Sequence, residues 1–81
     1  MMSREQREFL GMAHERRWTA AIEMVERRWR LDVGNAADRA KLPGLLGWNN
    51  DMSARSLLLR MCMRVLDDRQ KEARRLSDGI R

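Results

Sequence analysis

Apolar positions recur at helical spacing in the first and last thirds of the chain. In the first third, Phe9, Leu10, Ala13, Ala20, Met24 and Leu31 fall on one stripe at about 100° per residue. Trp18, Ile22, Val25 and Trp29 form a second stripe beside it, spaced four, three, four. In the last third, Ala54, Leu58, Met61, Cys62, Val65, Leu66, Ala73 and Leu76 share a face, with Arg60, Arg64, Lys71, Arg74 and Arg75 opposite. This pattern predicts an all-α fold: two long helices, about 3–31 and 51–78, as an antiparallel hairpin in a single helical domain, 1–81.

Local signals set the expected ends. Ser3 and Gln6 have capping-box spacing. From there to Leu31 only Gly11 weakens the helical pattern, and Gly34 suits the position just past the helix end. Asn35 is a cap for a short helix from Ala36 to about Lys41. Pro43 disfavours helical geometry at Leu42, and Gly44 suits a turn. Leu42, Leu45, Leu46 and Trp48 are too apolar to stay in water, so this connection packs against the helices. Asn49, Asn50 and Asp51 offer caps for the last helix, and Asp78-Gly79 a stop.

The two stripes of the first helix cover more than half its circumference, an arc that one neighbouring helix cannot cover. A chain of 81 residues also buries little core, worth about 3–5 kcal/mol. Cys62 is the only cysteine and His14 the only histidine, so neither an internal disulfide nor a zinc site supplements that core. Self-association is the remaining device, and the expectation is a homodimer that forms a helical bundle through the first helix.

The net charge is +5, carried almost wholly by arginine; Lys41 and Lys71 are the only lysines. Acidic residues are interspersed, which dilutes a nucleic-acid reading. No apolar run approaches the ~20 residues needed to span a bilayer, and the opening residues have early charges without the apolar core of a secretory signal. The expected setting is cytoplasmic, with Cys62 reduced and buried as a small hydrophobe.

Candidate chemistry is sparse. There is no phosphate-binding glycine loop and no Ser-His-Asp set, and the neighbours Asp67 and Asp68 point to different sides of a helix, so an enzyme, a cofactor or a small-molecule substrate is not expected. Trp18, Ile22, Val25 and Trp29 read first as core, second as a protein interface with Arg17 and Arg28 as flanking anchors, and third as a base-stacking platform. Arg69, inside the apolar stripe, reads first as a snorkelling side chain and second as the mate of a first-helix glutamate such as Glu15 or Glu23. The stretch LLGWNNDMSARSLL has the residue order of a helix-turn-helix, although Pro43, the apolar Met52 and the length of the following helix depart from that pattern.

Two functions follow as expectations. The first is a non-enzymatic helical interaction protein of bacterial or phage type. It binds itself and a second protein, which it modulates or inhibits, through Trp18, Trp29, Arg17, Arg28, Ile22 and Val25. The alternative is a small dimeric helix-turn-helix-like DNA-binding regulator, with Arg55, Arg60 and Arg64 on bases or phosphates.

Overall fold

The computed structural model describes residues 2–79, and all the regular structure among them is helical. The helices are α1 (Arg4–His14), α2 (Trp18–Trp29), α3 (Ala36–Leu45) and α4 (Met52–Gly79). Helix α1 packs on α2, α2 on α4, and α3 on α4. The all-α expectation is met, but the expected single helix over 3–31 is two helices.

The reason lies in the angular positions of its apolar residues. On one continuous helix, Phe9 would sit about 140–160° around from Ile22 and Val25. No single neighbour covers both sides. Breaking the helix between them lets α1 fold against α2, so that Phe9, Ala21, Ile22 and Val25 are all fully buried in one core. The break does not use Gly11. It falls at Glu15–Arg17, where Arg16 takes the left-handed conformation (φ 59°). There the Arg17 N–H donates to the Met12 carbonyl at 2.8 Å and the Arg16 N–H to the Ala13 carbonyl at 3.1 Å, a Schellman stop.

Helix α2 ends in a related way. Arg30 is left-handed (φ 53°) and the Leu31 N–H donates to the Glu26 carbonyl at 2.9 Å. Gly34 is therefore not the stop; it lies in a turn closed by its N–H donating to Asp32 Oδ1 at 2.9 Å. Asn35 then caps α3 as its sequence position suggests, accepting from the amides of Ala37 and Asp38. Helix α3 runs through Pro43 to Leu45, longer than expected. Continuing it places Leu42 and Leu46, four apart and both fully buried, on one side. Pro43 removes one hydrogen bond from the ladder, and burial of the two leucines outweighs that loss. The third Schellman stop follows: Gly47 is left-handed (φ 73°), and the Trp48 N–H donates to the Pro43 carbonyl at 2.7 Å.

The start of α1 closes over this turn. The Ser3–Gln6 capping box is formed, with Gln6 Oε1 accepting from the Ser3 N–H at 2.6 Å. The same side chain donates through Nε2 to the Leu46 carbonyl. Phe9 meets Trp48 edge to face, centroids 5.6 Å apart. Asp51 caps α4 by accepting from the Ala54 N–H at 2.9 Å. Leu58, Met61, Cys62 and Val65 complete the core from α4, joined by Val33 from the α2–α3 loop. Beyond Leu66 every described residue of α4 is exposed, and past Arg69, which reaches back to Glu26, its last third projects as an arm from a body that is 52 Å in its longest dimension with the arm included.

A Cβ on Gly47 would need a left-handed L-residue and would collide with the Gln6 side-chain nitrogen. Gly47→Ala is therefore expected to lower stability by about 1–2 kcal/mol. Arg16→Gly, which relieves a left-handed arginine, should raise it by about 0.5 kcal/mol. Urea titrations of the two variants should shift the midpoint in opposite directions.

Candidate functional site

The tryptophan seam of α2 faces inward. Ile22 and Val25, expected as partner contacts, are fully buried at its centre and so lie within the core rather than on a free surface. Trp18 and Trp29 close the seam at each end, half-buried against the core. The Trp18 indole N–H donates to the Ala13 carbonyl at 3.3 Å, tying α2 to the end of α1. Both flanking arginines are exposed. Arg28 bridges to Glu5 of α1 at 3.1 Å, and Glu5's own backbone hydrogen bond together with Arg28 holds that carboxyl below its ordinary value. Arg17 has only a long contact, 3.8 Å, to Glu15. The wide arc that suggested a dimer through the first helix is thus largely covered within the chain.

Arg69 does not simply snorkel. It makes a two-pronged contact with Glu26 of α2, Nη2 to Oε1 at 2.6 Å and Nη1 to Oε2 at 3.2 Å. A first-helix glutamate was the expected mate on the second reading, but it is Glu26 rather than Glu15 or Glu23. Glu26 Oε2 also accepts from the buried Val33 N–H at 3.1 Å. Partial burial pushes the Glu26 carboxyl up, but the bonds from Arg69 and Val33 outweigh it and the net shift is downward. Nearby, Arg39 Nη1 donates to the Val33 carbonyl at 2.7 Å. One carboxylate and two arginines therefore fasten α2, the α2–α3 loop, α3 and α4 together.

Cys62 is buried beside this group. Desolvation pushes its thiol up to about 11, with Arg39, Glu26 and Arg69 adding smaller, partly opposing effects. His14 is exposed at the end of α1, apart from Cys62's buried position. No group of three or more His, Cys, Asp or Glu able to hold a metal occurs among the described residues, and no described helix is long and apolar enough to cross a membrane.

The three arginines of the nucleic-acid reading are all exposed on α4 but do not line up. Arg60 and Arg64 lie within about 40° of each other, whereas Arg55 is about 140–180° around the helix from them. Arg64 is paired with Asp68 at 3.6 Å. Arg60 and Arg64 do join Arg16 around shallow clefts that adjoin Trp18.

The most exposed apolar surface lies elsewhere. Met52, Leu59 and Met63 are 69%, 56% and 51% exposed. They sit within about 40° of one another, on a side of α4 about 130° from its core stripe. Half-buried Leu66 continues the line, so the row 52, 59, 63, 66 has the seven, four, three spacing of a heptad seam. The sequence reading assigned the face opposite the core to charge and missed this row, although the spacing was there to be counted. A groove of about 360 Å³ runs beside it between α3 and α4, lined in part by Ala40, Pro43, Met52, Arg55 and Leu59.

No protein-family model matches the chain, and no curated protein or solved structure matches it either.

Removing the Glu26 side chain leaves the buried Val33 N–H and Arg69 without their acceptor, so Glu26→Ala should cost about 1–3 kcal/mol at neutral pH. Because the folded carboxyl titrates below the unfolded one, its contribution is fully present above the unfolded value and fades as pH falls through the folded value. Denaturant midpoints between about pH 5 and about pH 3 should accordingly fall more steeply for the wild type than for Glu26→Gln. Cys62 in the native protein should react with a thiol reagent orders of magnitude more slowly than in denaturant; equal rates would mean that the α3–α4 contact opens freely.

Proposed function

We propose that the chain is a non-enzymatic helical interaction module that acts by docking the outer face of α4 on another polypeptide chain and modulating it by occupancy. One observation carries this reading: the exposed heptad row of Met52, Leu59 and Met63, continuous with an apolar groove. Single exposed apolar side chains are ordinary, whereas a contiguous row on one helix face is the form that helix-to-helix recognition takes. Methionine suits such a face because its unbranched side chain adapts to its partner. The docking residues are therefore Met52, Leu59, Met63 and Leu66. Trp18 and Trp29 support the face from within by packing on the core that α2 shares with α4.

The grouping of Arg16, Arg60 and Arg64 near Trp18 favours a second reading, contact with nucleic acid. It is the weaker one, because Arg55 faces away from the group and Asp68 neutralises part of it.

The two readings separate in one comparison. Both substituted positions in Leu59→Lys/Met63→Lys are exposed on the single chain, so at a concentration where the chain is monomeric this variant should keep its stability within about 0.5 kcal/mol. It should lose polypeptide partners that the wild type retains after nuclease digestion. Arg16→Gly/Arg64→Ala, changed at arginines that do not flank the row, should retain partners that dock through it. If the Lys variant captures the same nuclease-resistant set as the wild type, the docking reading is wrong. If instead the arginine variant abolishes a steeply salt-dependent shift of duplex DNA, the nucleic-acid reading replaces it.

A further inference from the structure

We infer that the occupant of the α4 row is a second copy of this chain, paired antiparallel along α4. The inference rests on the reading of that row as a docking face and adds the identity and register of what covers it.

The heptad frame extends along most of the helix. Met52, Leu59, Leu66 and Ala73 take one seam position; Ser56, Met63, Gln70 and Ser77 take the other. The residues flanking this seam are Ser53, Arg60, Asp67 and Arg74 on one edge, and Arg55, Cys62, Arg69 and Leu76 on the other. Arg60 has no acidic partner among the described residues, and Asp67 is held only by exposed Lys71, at 3.1 Å.

Charge selects both orientation and register. A parallel, in-register pair would set Arg55 against Arg60 of the second copy and Arg69 against its Arg74, which is repulsive wherever two charges meet. In the antiparallel pair centred between Met63 and Leu66, Met63 of each copy meets Leu66 of the other and Leu59 meets Gln70. Arg60 then faces Asp67 of the other copy, and the two-fold axis repeats that pair. Shifting the register by one heptad in one direction brings Arg60 against Arg60. Shifting it in the other brings Asp67 against Asp67 and Arg60 against Arg74. Only the central register has opposite charges at every charged pair along that edge.

The same register accounts for two further features. Past Arg69, which reaches back to Glu26, the arm makes no side-chain hydrogen bond or ion pair to another element among the described residues. In the pair it lies along the first half of the other copy's α4, so about 40 Å of helix is paired. Leu76, 59% exposed on that arm, comes opposite Arg55 at the mouth of the groove between α3 and α4. The arm of each copy thus covers the groove of the other.

Analytical ultracentrifugation of the full chain, with three charge variants, tests this. The wild type should be dimeric at tens of micromolar. Arg60→Asp alone and Asp67→Arg alone should each raise the dimer Kd at least about tenfold, since each sets like charges together twice per dimer. The double variant Arg60→Asp/Asp67→Arg should regain the wild-type Kd within a few-fold. Helical ellipticity and melting temperature at a concentration below the Kd show that each variant folds. A monomeric wild type overturns the inference and leaves the row to a foreign chain, whose loss in Leu59→Lys/Met63→Lys remains the measure of the docking reading. A dimer that the single reversals leave intact, or that the double variant fails to restore, places the contact elsewhere and overturns it equally.

Discussion

Phe9 and the pair Ile22 and Val25 cannot be buried together by a straight helix, and the rest of the structure depends on that constraint. A chain this short cannot leave either group in water. The corner at Glu15–Arg17 resolves the conflict by folding α1 onto α2. Once α1 is folded back, its start reaches the α3–α4 turn. Gln6 can then bond the Leu46 carbonyl and Phe9 can meet Trp48. The apolar excess that seemed to call for a partner on α2 is used up inside the chain, and the exposed apolar row is left on α4.

How much of this was legible in the sequence depends on which atoms carried the signal. Side-chain caps were legible because they are local: Ser3 with Gln6, and Asn35, act where their spacing places them. The core stripe of α4 was legible from its period, including a buried Cys62. The stops of α1 and α2 were not. Both use a left-handed arginine, Arg16 and Arg30, where a glycine is the usual sign, and the available glycines at 11 and 34 drew attention to the wrong places. The continuation of α3 through Pro43 was hidden for a related reason. Local preference opposes it, and only the burial of Leu42 with Leu46, a tertiary effect, overrides that preference. Of the candidate site residues, Ile22 and Val25 had the right period for a seam, but period does not say whether a seam faces the core or the solvent.

Arginine is divided between two kinds of work. Arg28, Arg39 and Arg69 reach across from one element to another, to Glu5, to the Val33 carbonyl and to Glu26. The planar fork of guanidinium suits such bridges in a small protein with little core, because one side chain can satisfy several acceptors. Arg60 and Arg74 make no ion pair among the described residues. A composition that looks uniformly basic is therefore partly spent on internal fastening, and its arginine count overstates what the surface offers to a polyanion.

The projecting arm of α4 gives the isolated chain two kinds of unfolding. The body loses its shared core in one cooperative step. Past Arg69, which is tied to Glu26, the arm makes no side-chain bond to another element among the described residues and is held by backbone hydrogen bonds and by side-chain pairs three or four residues apart, such as Lys71 with Asp67 and Arg75 with Glu72. Its order obeys helix–coil statistics and is lost gradually rather than in one step. All three tryptophans lie in the body. Indole fluorescence therefore follows only the cooperative step, whereas helical ellipticity sums both, and the two probes trace different curves until something orders the arm.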